Sequence, residues 1–240
     1  MTLRTFRSSV ASLAVAVSLA FAASAARAEP IILSSGHTDI FEAEYELHEG
    51  VPELHLGVHS GEDPGTHYEP GDVILQVKNS AYASTSGLPT AITEILGANA
   101  WILPADLEQA AVLGVLEAGV KRVGFPNTNP VTYTMLSAGA SNPGNFALYS
   151  STNVLRLSAT GSAVGTSSFS TSTGHVHYNW GFSAPGIYEF TMQASYTDPV
   201  EGPLLSPAEV YTFPVVPEPS TWAMAGAAAI GVILLGRRRR

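Results

Sequence analysis

At 240 residues, with a formal charge of −9 and no cysteine, the chain has room for one or two domains but none for disulfide or thiolate chemistry. The acidic balance argues against nucleic acid or an anionic membrane surface as a partner.

Arg4 and Arg7 precede an apolar run from Val10 to Ala23, and Ala26-Arg27-Ala28 places small residues just ahead of Glu29. Residues 1–28 are therefore expected to be a signal peptide removed by signal peptidase. The segment that follows keeps only Lys78, Lys121, Arg122 and Arg156 against nineteen acidic residues, a net charge near −15. Such a surface suits divalent cations, and with no disulfide its stability has to come from packing.

From residue 36 onward the apolar residues recur mostly at every second position, the period of a half-buried strand. Phe41, Ala43, Tyr45 and Leu47 alternate with Glu42, Glu44, Glu46 and His48. After a turn at Glu49-Gly50-Val51-Pro52, Leu54, Leu56 and Val58 alternate with Glu53, His55 and His59. The expectation is a hairpin with one apolar face and one face of Glu and His. Residues 61–71 read as loop, Val73 to Val77 as a strand, 79–91 as an irregular excursion and Trp101 to Pro104 as a strand end. Pro104 to Leu116 is the one stretch with helical spacing, through Leu107, Ala110, Ala111 and Leu113, weakened by Gly114 and Gly119.

Strands are expected again at Val131 to Leu136, Phe146 to Tyr149 and Val154 to Leu157. The Ser/Thr/Gly-rich residues 158–173 read as a mobile loop. Val176, Tyr178, Trp180 and Phe182, the turn Ser183-Ala184-Pro185-Gly186, and Tyr188, Phe190, Met192, Ala194 and Tyr196 give the clearest hairpin pattern. Val210 to Val215 closes the series. Many short strands with turn signals predict an all-β fold, a single antiparallel β-sandwich over 29–215.

The C-terminus reverses the layout of the N-terminus. Val216-Pro217-Glu218-Pro219-Ser220 leads into the apolar stretch Thr221 to Gly236 and four terminal arginines. The apolar stretch falls short of the roughly 20 residues that cross a bilayer comfortably. Its arginines would stay on the cytoplasmic side. Residues 216–240 resemble the PEP-CTERM sorting signal of Gram-negative bacteria. The resemblance implies transient anchoring in the inner membrane by a C-terminal transmembrane helix. It also implies cleavage near Pro217, Glu218 and Pro219 by an exosortase, and delivery to the cell surface or extracellular matrix, where exopolysaccharide or other envelope components would be neighbours.

If Tyr178, Trp180 and Phe182 face the core, His175, His177 and Asn179 share the opposite face. Two imidazoles at i and i+2 on a strand can hold one metal ion, or can simply face solvent. Gly36-His37-Thr38-Asp39 offers a second His and a carboxylate at the same spacing, although Asp39 could equally cap a turn. His37, His175 and His177, with Asp39 as fourth ligand or supporting acceptor and His59 as a substitute, would form a nitrogen and oxygen site suited to Zn or Mn. The ladder Glu42, Glu44, Glu46, His48, Glu53, His55 and His59 could also gather cations, or serve to discourage strand addition.

Five blocks in order resemble the choice-of-anchor M domain, related to surface-anchored repeat domains of actinobacteria. They are Gly36 to Ile40, Leu54 to His59, Trp101 to Pro104, Gly144 to Tyr149 and His175 to Tyr188. This resemblance, over residues 36–215, implies a shared surface domain with a variable anchor and an association with metal-type ABC transporters. No Gly-x-Ser-x-Gly elbow, His-Glu-x-x-His helix or phosphate-cradling loop occurs. The sequence thus points to a non-enzymatic surface protein that binds a divalent metal. A metal-scavenging protein serving a transporter is the alternative, and a metal-dependent hydrolase of envelope polymers a third reading.

Overall fold

Alternating apolar and polar residues carry most of the described chain into strands, and the computed structural model describes residues 29–62 and 64–216. The expected signal helix and C-terminal apolar helix lie outside the described residues. Within the described residues no helix is long and apolar enough to cross a membrane.

Three larger sheets share the core. The histidine-bearing sheet runs, in spatial order, His175–His177, Leu116–Val123, Gly36–His48, Val51–Ser60 and Thr66–Tyr68. A second sheet runs Ser168–Thr171, Val131–Ala138, Gly186–Asp198, Glu209–Val216 and Val77–Lys78. A third runs Ala163–Val164, Leu155–Thr160, Asn145–Tyr149, Asn179–Phe182, Asn99–Leu103 and Tyr82–Ser84.

Rings from all three sheets meet in one cluster. Phe41 of the first lies 5.0 Å from Tyr211 of the second and 4.9 Å from Trp180 of the third. Phe146 and Phe190 meet at 4.5 Å between the third and second. Such ring pairs add to the burial of their large apolar areas.

The strand-dominated architecture agrees with the sequence, but the sheets are not purely antiparallel. Gly36–His48 runs parallel to Leu116–Val123, Glu209–Val216 parallel to Val77–Lys78, and Ile31–Leu33 parallel to Val73–Leu75. Parallel pairing needs a long crossover, and the chain between residues 48 and 116 supplies one, which alternation within a strand could not reveal. That crossover also corrects the excursion expected over 79–91. It holds a 3₁₀ turn at Asn79–Ala81, the strand Tyr82–Ser84 and the helix Thr90–Leu96. Ile92 and Leu96 of this helix are buried.

The helix expected from Pro104 spans Leu107–Leu113. It starts where the Asp106 side chain accepts from the Gln109 amide at 2.8 Å and stops at left-handed Gly114. Of its expected apolar face, Ala110 is buried and Leu113 half-buried, while Leu107 and Ala111 are exposed. Residues 158–173 are not a loop but contribute strands at Leu155–Thr160, Ala163–Val164 and Ser168–Thr171. Their hydroxyls find partners, as in Thr132 Oγ1 to Ser170 Oγ at 2.7 Å, and Phe169 anchors the last strand in the core.

The first hairpin forms as expected, with Glu49 at φ 53° and Gly50 at φ 86°, the positive values a two-residue hairpin turn requires. The second expected hairpin does not form. Asn179–Phe182 and Gly186–Asp198 belong to different sheets, so Ser183 to Pro185 turn a corner between layers. Tyr188 Oη fastens that corner, donating to the Ala184 carbonyl at 2.9 Å and accepting from its amide at 3.1 Å. Phe182 and Tyr188 consequently meet at 5.1 Å edge to face rather than as ladder neighbours.

Trp180 is wholly buried at the junction of the three sheets. Trp180→Ala should lower the unfolding free energy by about 3–5 kcal/mol in a guanidinium titration. Ile187→Ala, at a position 59% exposed, should change it by less than about 0.5 kcal/mol.

Candidate metal centre

The site is built on one face of the histidine-bearing sheet. Gly36–His48 and Leu116–Val123 pair in parallel, with Asp39 beside Gly119, Glu42 beside Lys121 and Ile40 left unpaired between them. On the other side, Ile40 and Phe41 together oppose Val58, because Asp39 pairs with His59 and Glu42 with Gly57. This is a β-bulge. In a regular strand Asp39 and Glu42, three residues apart, would point to opposite faces. The bulge sends Ile40 and Phe41 into the core and leaves Asp39 and Glu42 on the same side.

The edge strand His175–His177 completes the face from the far end of the chain. It pairs with Leu116–Val123, setting His175 opposite Lys121 and His177 opposite Gly119. At Tyr178 the chain leaves this sheet and continues as Asn179–Phe182 in the next. The period-two pattern runs through the switch: Tyr178, Trp180 and Phe182 are buried, Val176 packs on the core, and His175, His177 and Asn179 face away. Asn179 turns to the backbone, accepting from Ala105 N at 2.9 Å and donating to Ser150 O at 3.2 Å.

All five side chains singled out from the sequence come together. The ring centroids of His37 and His175 are 5.0 Å apart, those of His37 and His177 5.4 Å, and those of His175 and His177 4.6 Å. Asp39, whose side chain is 1% exposed, lies beneath them. Its Oδ1 is 2.8 Å from His175 Nε2, and its Oδ2 is 3.3 Å from His37 Nε2 and 3.4 Å from His59 Nδ1. His59 is as buried as Asp39, and its Nε2 faces the Pro64 carbonyl at 3.4 Å. His37, His175 and His177 form one group of donor atoms within 4.8 Å of one another, and His37, Asp39 and His59 form another.

Burial works to raise the Asp39 carboxyl. The hydrogen bond and charge of His175, followed by those of His37, outweigh it and hold the group below its ordinary value. Burial lowers His177, reinforced by repulsion from His175 and His37, so its neutral, lone-pair-bearing form is favoured. Its Nδ1 is buried without a hydrogen-bond partner. Glu62, Leu107, Glu117 and Lys121 complete the wall of a cavity of about 220 Å³ over the cluster.

Two glycines make the packing feasible. A methyl group at Gly119 would meet Asp39 Oδ1 and lie 3.1 Å from His175 Nε2. One at Gly65 would collide with His59 Nε2. In the sequence Gly119 registers only as a poor helix residue; the alternation of Leu116, Ala118 and Val120 was the signal that it lies on a strand.

The acidic ladder is only partly the exposed edge it resembles in sequence. Glu46, His48, Glu53 and His55 are exposed and Glu44 half-exposed, but Glu42 and His59 are buried. Glu42 Oε2 lies 2.7 Å from His67 Nδ1, and its Oε1 is 4.0 Å from Lys121 Nζ. Burial raises the Glu42 carboxyl, opposed by the neighbouring His67. His67 was hidden in a segment that reads as loop, and forms part of the strand Thr66–Tyr68.

A family model for the PEP-CTERM protein-sorting motif matches residues 215–240. No curated protein and no solved structure matches the chain. The motif makes the chain an exported surface protein of a Gram-negative bacterium, processed by an exosortase after a membrane-held C-terminal sorting step. Pro217, Glu218 and Pro219 lie outside the described residues. Replacing Pro217, Glu218 and Pro219 by alanine should leave the uncut form in the membrane fraction of the native host, read by immunoblot of membrane, surface and medium fractions.

Proposed function

We propose that the mature chain is a non-enzymatic surface or matrix protein whose β-sandwich-like domain holds one divalent cation, Zn²⁺ or Mn²⁺, at the cluster of His37, Asp39, His59, His175 and His177. The observation that carries this is the spacing of three imidazoles brought from opposite ends of the mature chain. Three rings bound to one tetrahedral ion through bonds of about 2.05 Å have centroids about 5 Å apart. The separations of 4.6, 5.0 and 5.4 Å suit such an ion. Ligand atoms around the same ion lie about 3.3 Å apart, and His37 Nε2 stands 3.3 Å from Asp39 Oδ2.

The donor set is neutral imidazole with one carboxylate, which suits borderline and harder divalent ions rather than thiophilic ones. Bound there, the ion would tie the edge strand His175–His177 to the strand Gly36–His48. We also propose that residues 36–215 are a domain of the choice-of-anchor M type. The His-x-His-x-Asn-Trp-x-Phe block supports this kinship by supplying both site histidines and core rings. Metal scavenging for a transporter is the second reading, favoured by the 41% exposure of the His175 side chain, which suits exchange.

Elemental analysis of the mature protein should find about one equivalent of Zn or Mn, and His175→Ala/His177→Ala should lose it. Metal content near zero in both proteins would end this reading. Gly119→Ala tests the geometry without removing a ligand. Its methyl displaces the Asp39 carboxylate from His175, and metal affinity should fall about 10–100-fold, as for other groups that orient ligands. Competition with a chromophoric chelator measures it, and circular dichroism verifies the fold.

A further inference from the structure

The five donors do not close around a single point. They fall into two triads that share His37, one with His175 and His177 and one with Asp39 and His59. The first triad is half-exposed, takes two of its three members from an edge strand and contains no carboxylate. The second includes two side chains that are each 1% exposed, one of them a carboxylate. The His37 and His59 rings are 6.3 Å apart, wider than any pair in the first triad, so the two triads differ in how closely their rings approach.

We infer that the site has two stations for one divalent cation, an outer one on His37, His175 and His177 and an inner one on His37, Asp39 and His59, with His37 as the pivot between them. This rests on the metal-binding reading above. The outer station is the one an ion arriving from solvent meets first, because the His175 side chain is 41% exposed. The inner station supplies the negative charge that offsets part of the cost of burying a dication. Asp39 touches both stations, since Oδ1 faces His175 and Oδ2 faces His37 and His59. His59 is oriented for the inner role by the Pro64 carbonyl at its Nε2, which directs Nδ1 toward Asp39. Both stations draw on His37 and Asp39, and one ion occupies them in turn rather than two ions forming a bridged pair.

The test is stopped-flow binding of Co²⁺ to the mature protein, following its visible ligand-field absorption, with total metal measured at equilibrium. The wild type should bind one ion in two phases, a fast one whose rate rises with Co²⁺ concentration and a slower one independent of it. His175→Ala/His177→Ala, which as purified should hold no metal, should lose the fast phase and load the inner donors about tenfold or more slowly, and only under the excess Co²⁺ of this experiment. Asp39→Asn/His59→Gln should keep the fast phase, lack the slow one and bind more weakly. If that double variant does not fold, His59→Gln alone should show the same loss of the slow phase. Two ions per wild-type chain, or a single phase abolished equally by either lesion, would overturn the two stations while leaving metal binding intact. No bound ion in the wild type would overturn both this inference and the reading beneath it.

Discussion

The residue on which the site depends is Ile40, which has no counterpart on the parallel strand Leu116–Val123. Ile40 and Phe41 both sit opposite Val58, and both are buried. Two consecutive core residues are what a bulge provides and a regular strand does not. By absorbing one residue the bulge reverses the parity downstream of Asp39. The histidine end of the strand and its glutamate end therefore lie on one face. Phe41 meanwhile reaches Trp180, Tyr133 and Tyr211 in the core. Anchoring of the core and placement of the carboxylate are the same local event.

A second constraint comes from the strand that brings His175 and His177. It is three residues long, lies at the edge of its sheet, and continues at once into another sheet through buried Tyr178. An isolated edge strand of this length has little stability of its own. Its neighbours hold it: Arg122 N donates to the Gly174 carbonyl at 2.8 Å, and the Arg122 guanidinium donates to the carbonyls of Ser172, Asn127 and Asn129. One of the mature domain's four basic residues thus fastens the approach to the histidines, and Lys121 beside it faces Glu42. In a domain this acidic, half of the positive charge sits in two adjacent residues on the strand behind the site.

The site and the sorting signal are independent pieces of the chain. The address lies in a linear motif matched over residues 215–240, which starts in the last two residues of the final strand, Glu209–Val216. The site lies on the histidine-bearing sheet, formed by segments between residues 36 and 177. An exported domain without cysteine has no covalent staple for its edges. The cation proposed to bridge Gly36–His48 and His175–His177 would serve that purpose through non-covalent linkage.

The local, periodic information was enough for strand content, for a turn at Glu49-Gly50 (expected to reach Pro52, whereas Val51 and Pro52 already belong to the strand), for the buried parity of Tyr178, Trp180 and Phe182, and for the candidate ligands on the opposite face. It was also enough for the C-terminal motif, because a sorting signal is read as a linear string. Tertiary structure decided the rest. Parallel pairing across the long crossover, the corner where a hairpin was expected, and the strands within residues 158–173 depend on partners distant in sequence. Alternation states which way a side chain points, not which sheet its strand joins. The bulge at Ile40 and the close approach at Gly119 follow from how three strands pack side by side, so the joint geometry of His37, Asp39, His59, His175 and His177 exists only once the sheet is assembled.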